Sequence, residues 1–118
     1  MGALDGVAAR VARGEAVEFR PRGHSMVPLI SSGDRVRVEP VDPSAVEVGD
    51  IVLARVAGTT YLHLVSAVDH ARKRVQISNN RGRVNGWTGH PRVHGICVSV
   101  GGVPRPRIAG KARETPRP

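Results

Sequence analysis

Two segments of this chain share one design, a Gly-Asp pair followed at once by a valine-rich run: SGDRVRVEPV at 32–41 and VGDIVLARV at 48–56. Glycine supplies the turn, and an aspartate beside it can accept nearby backbone N–H groups, so each pair opens a strand. Asp34 and Asp50 therefore read as structural. In the first run Val36 and Val38 alternate with Arg35, Arg37 and Glu39, the period of a half-exposed strand. The second run is more continuously apolar, which predicts deeper burial. Between them PVDPSAVE carries two prolines and cannot continue a ladder.

The same strand signal recurs in AVEF (16–19), YLHLVSAV (61–68), RVQIS (74–78) and HGICVSV (94–100). DHARKR (69–74) reads as a polar turn, and NNRGRVNGWTGHPRV (79–93) as a loop with several positions suited to positive φ. Leu4, Val7, Ala8 and Val11 fall on one helical stripe, which Gly14 ends near Arg13. With only Phe19, Tyr61 and Trp87 as aromatics, the core must be built from valine, isoleucine, leucine and alanine. At 118 residues the chain holds one domain. The expectation is a mainly β body at 17–100, a short helical segment at 1–16, and a basic, proline-rich tail at 101–118 that is disordered.

The formal charge is +8, with five basic side chains against Glu114 in the tail. Elsewhere the basic residues are scattered and lack interleaved aromatics, which argues against a nucleic-acid partner. Cys97 has no partner cysteine and sits in an apolar run, so it reads as a buried strand thiol. No stretch approaches the ~20 apolar residues of a membrane span, and residues 1–17 lack the apolar segment of a secretion signal. A soluble, cytoplasmic protein is expected. His70, His90 and His94 share no metal-like spacing, so neither a metal nor a cofactor is expected.

The loop RPRGHSMVPLI (20–30) exposes a hydroxyl after a glycine, which in most loops only caps or turns. Its surroundings give it more weight. GHSMVPLISSGDRVRVEPV, then VGDIVLARV, then a strand with YLHLV, a loop beginning NN and a closing HGICVSV together resemble the LexA and type I signal-peptidase superfamily of serine peptidases over roughly residues 17–100. The resemblance implies a fold of coiled β-sheets with a short N-terminal helix. It makes Ser25 the nucleophile and places the base 37 or 38 residues later, at Leu62 or His63. His63 then stands where many relatives carry lysine, and neither Lys73 nor Lys111 fits. A histidine is neutral near pH 7 without special desolvation.

The resemblance further implies a substrate and oxyanion loop of Gly23, His24, Met26 and Pro28, with the Ser25 N–H as a donor. Histidine-type relatives hold an aspartate in the loop after the base strand. Here Ser78, Asn79, Asn80 and Asn85 are the available orienting groups, and none is a carboxylate. An amide steadies an imidazolium less than a carboxylate does. The implied function is cleavage of a peptide or protein segment. Ala57-Gly58 and Ala109-Gly110 resemble the Ala-Gly sites at which LexA-type members cut themselves. The alternative is an adaptor or regulator that kept the fold and lost catalysis.

Overall fold

The computed structural model describes residues 2–105. The chain runs through helix α1 (Ala3–Ala12) and strands β1 (Val17–Phe19), β2 (Val36–Pro40), β3 (Ile51–Val56), β4 (Thr59–Asp69), β5 (Arg74–Ser78), β6 (Val84–Gly89), β7 (Val93–Val100) and β8 (Val103–Pro104). All strand pairs are antiparallel, in the order β1-β2-β7-β3-β4-β5-β6, with β8 on β7. The mainly β expectation holds, with one short helix ahead of the sheet.

The two Gly-Asp turns are built alike. Asp34 N–H donates to Ser31 O at 3.0 Å while its carboxylate accepts from Ser31 N–H at 2.8 Å. Asp50 and Glu47 repeat both bonds at 3.1 and 2.9 Å. Gly33 and Gly49 hold φ near +88° and +98°, a conformation side-chain-bearing residues rarely adopt. Asp50 is 4% exposed, so its carboxylate is an interior part of the turn.

β3 is buried on both faces, as its continuous apolar run predicts. Ile51 and Leu53 join a layer with Val36, Val38, Leu62 and Cys97, closed by α1 through Ala8 and Val11. Val52, Ala54 and Val56 face a second layer with Val65, Val75, Ile77 and Ile96. Cys97 is buried and its thiol is pushed up by desolvation, as a structural thiol should be. Helix α1 is therefore part of the core. No described helix is long and apolar enough to cross a membrane.

Two expectations need correction. The stretch 79–93 is not all loop, since β6 lies within it. β5 supplies a ladder for Asn- and Gly-rich residues that have little strand preference of their own. The expected tail also begins too early. Val103–Pro104 pairs with Ser99 and Val100, and Arg105 donates its N–H to Val98 O and a guanidinium N–H to Gly49 O, both at 2.8 Å. The rest of the expected tail, 106–118, lies outside the described residues.

The sheet curls because four of its pairings carry an extra residue: Val98 between β2 and β7, His94 between β3 and β7, Ser66 between β4 and β5, and Asn85 between β5 and β6. Where α1 crosses β7, Gly95 leaves the space. A Cβ there would lie 2.6 Å from Val11 Cγ1 and 2.7 Å from Glu39 O. We therefore expect Gly95→Ala to cost about 1–3 kcal/mol, the usual range for overpacking. Denaturant unfolding checks this; a variant as stable as the parent would mean that α1 does not press on β7.

Candidate functional site

Ser25 sits at the start of a tight turn, where Val27 N–H donates to His24 O and Ile30 N–H to Met26 O. Met26 and Ile30 are buried in the α1 layer and anchor the loop, while His24 and Pro28 are exposed. From the other side Asn80 holds the loop twice. Its N–H donates to Ser25 O at 2.8 Å and its side-chain amide to Val27 O at 3.0 Å.

His63 lies on β4, 8% exposed, stacked at an inclination of 29° on the Tyr61 ring with 4.9 Å between centroids. Its Nε2 is 3.0 Å from Ser25 Oγ, and its Nδ1 is 2.7 Å from Asn85 Oδ1. Nδ1–H donates to the amide oxygen, which leaves the Nε2 lone pair to accept from the serine hydroxyl. The three groups form one relay. Burial lowers the His63 pKa below the ordinary imidazole value, and the Asn85 bond offsets only part of that. The ring is therefore neutral at neutral pH.

Asn85 reaches the ring because of the irregularity it creates. Ile77 pairs with Gly86 and Ser78 with Val84, so Asn85 is the unmatched residue of a bulge, and its side chain is re-aimed off the regular pleat. Gly86 permits this with φ +138°, and Val56 Cγ1 would lie 3.2 Å from any Cβ there. An Asn-Gly pair inside a strand-length segment is the sequence signal that could have revealed the bulge.

The other expected groups divide by role. Asn79 Oδ1 accepts from Arg81 and Arg83 N–H and closes its own turn. Ser78 Oγ pairs with Ser66 Oγ at 2.6 Å. Neither touches His63. The Gly23 N–H donates to Ser32 Oγ at 3.2 Å, so it is already engaged. The Ser25 N–H has no acceptor among the described residues. Of the Ala-Gly pairs, Ala57-Gly58 forms the two-residue turn between β3 and β4, while Ala109-Gly110 lies outside the described residues.

Beside Ser25 opens a cavity of about 150 Å³ with apolar walls from Leu4, Pro21, Met26, Ile30, Tyr61 and Leu62. Leu4 comes from α1, whose Asp5 accepts from Thr60 Oγ1 at 2.6 Å and so fixes the helix to β4. Sequence reasoning placed Leu4 in a core stripe and did not single out Asp5. Beyond the cavity Thr59–His63 pairs with β3 on one side only, because β5 joins β4 from Leu64 onward.

Comparison of the chain with protein-family models, curated proteins and solved structures finds no match to any of them. The geometry of the site stands on its own.

The His63 ring should titrate below the ordinary imidazole value in an NMR pH series, and Asn85→Asp should raise that midpoint, since a carboxylate favours the imidazolium. The sign extends to stability. As pH falls below ~6.5 the unfolded chain takes up a proton that folded His63 still refuses, so the stability His63 contributes is lost in that window. A His63 midpoint at or above the ordinary value would show that the ring is not desolvated.

Proposed function

We propose that this chain is a serine peptidase of the LexA and type I signal-peptidase kind, with Ser25 as nucleophile, His63 as base and Asn85 as the group that orients the base. The observation that carries this reading is the relay from Ser25 Oγ through His63 to Asn85, with links of 3.0 and 2.7 Å. A hydroxyl needs a neighbouring base to attack a carbonyl, and a desolvated neutral imidazole at hydrogen-bond distance is such a base.

In this mechanism Ser25 Oγ attacks the scissile carbonyl as His63 Nε2 takes its proton. The Ser25 N–H faces the developing oxyanion. The imidazolium then gives its proton to the leaving amine, and an acyl-enzyme forms. Water, activated by the same ring, releases the acyl product. Asn85 keeps Nδ1–H occupied, so that only Nε2 faces the chemistry. As an amide it offsets the imidazolium charge less than a carboxylate would, and turnover is correspondingly slow.

The surroundings support a peptide substrate. Thr59–His63 has one open edge on which an extended chain can lie, and main-chain pairing to such an edge is a common mode of peptide binding. The cavity beside Ser25 has room for a small aliphatic side chain.

The amide at position 85 favours a second reading, a peptidase-fold adaptor without turnover. One experiment separates the two. Wild-type protein treated with a serine-directed phosphonylating probe should gain one adduct by intact mass, and Ser25→Ala none. The labelling rate should rise with pH through a single ionisation below the ordinary imidazole value, because only the neutral ring accepts the proton. His63→Ala should slow labelling by about 100-fold or more. Equal labelling of parent and His63→Ala across the pH range would establish the adaptor.

A further inference from the structure

At the far end of the β5–β6 hairpin lies a second depression, about 480 Å³ in volume, bounded by Arg72, Arg74, Arg92 and Trp87. Its remaining walls include Gly58 and Gly89, which present backbone and no side chain. Trp87 is 39% exposed, and the Arg74 guanidinium lies 4.8 Å from its ring centroid. The ring and the guanidinium make a cation–π contact at the rim of an open depression, leaving part of the ring's face for another group.

The charge there is unbalanced. Asp69 is the one carboxylate paired with these arginines among the described residues. It lies 3.6 Å from Arg72 and 3.5 Å from Arg74. The Arg74 Nε is buried and makes no hydrogen bond of good geometry. Arg92 pairs with no described carboxylate. Elsewhere Arg10 and Arg13 pair with Glu15, and Arg35 and Arg37 with Glu18 and Glu39.

Position ties this depression to the site. Arg74 pairs with Gly89 at one end of the hairpin, and Ser78 pairs with Val84 at the other, next to Asn85 and Asn80. Four residue steps along β5 separate the ends, ~13 Å at about 3.3 Å per step. A chain lying on the unpaired edge of Thr59–His63 leaves it at Thr59, next to Gly58 in the wall of the depression.

We propose that this depression is an exosite for an acidic segment of the polypeptide substrate, with carboxylates on Arg72 and Arg92 and the chain packed over Trp87. The proposal rests on the peptidase reading and names its substrate class. A single-stranded nucleic acid fits less well. There is one aromatic, Arg74 already covers part of its ring, and three arginines in one hollow do not make a track for successive phosphates.

Trp87 is the only tryptophan in the chain, so its fluorescence reports on this depression alone. The test uses full-length Ser25→Ala protein, titrated at low salt with an acetylated peptide of alternating glutamate and alanine. Its glutamine counterpart and an oligothymidylate of equal charge serve as comparisons. The acidic peptide should change the emission saturably, more weakly as salt is added. Binding should fall about tenfold or more in the additional Arg72→Gln/Arg92→Gln background, as expected when charged hydrogen bonds are lost. Both positions are exposed, and circular dichroism checks that the variant is folded. No response to the acidic peptide, or a response that the glutamine peptide or the arginine variant reproduces, overturns the exosite. So does tighter binding of the oligothymidylate, which would assign the depression to nucleic acid. Because the titration uses protein without the nucleophile, its failure is distinct from a failure of Ser25 to be phosphonylated.

Discussion

Thr88 Oγ1 donates to Arg55 O at 2.6 Å, a bond between β6 and β3, which are not neighbours in the sheet. It marks the place where the sheet has curled far enough to approach itself. Without that curl β6 would extend away from β4, and Asn85 could not reach His63. The curl is distributed over unmatched residues in several pairings, each adding local twist. The same closure buries the second apolar layer, so the energy that stabilises the core also assembles the relay.

Burial sets the electrostatic character of that relay. The imidazole is held neutral by the low-dielectric layer around it, and both of its polar partners, the Ser25 hydroxyl and the Asn85 amide, are uncharged. A carboxylate at position 85 would have to be desolvated in turn, at a cost repaid only while the ring is protonated. The asparagine avoids that cost in the resting state and gives up stabilisation of the charged state. The site thus favours the neutral ring over the imidazolium.

Much of this was legible in the residues because local chemistry and global fold agree. The Gly-Asp turns, the valine alternation of β2, the deeper burial of β3 and the stripe of α1 were all readable before any tertiary contact was known. Ser25 and His63 came from a resemblance, supported by a separation of 38 residues, and they meet in space. What could not be read depends on contacts between distant residues. β6 is a strand because β5 lies beside it, and its glycines and asparagines argue otherwise. Asn85 and Asn80 were grouped as equivalent amides, yet a bulge sends one to the imidazole while the other clasps the serine loop. The pairing of Val103–Pro104 was hidden for the same reason, since two residues carry no period.

The position of β7 has a consequence in time. It is the last long strand in the chain, and it lies between β2 and β3, joining β1–β2 to the β3–β6 meander. Its ladder with β2 spans about sixty residues of sequence, and such long-range pairing forms late, because the chain between must first give up its freedom. During synthesis from the N-terminus the serine loop and the histidine strand emerge well before residues 93–100. A nascent chain that ends before them already contains Ser25, His63 and Asn85, but has no continuous sheet to hold the three in register.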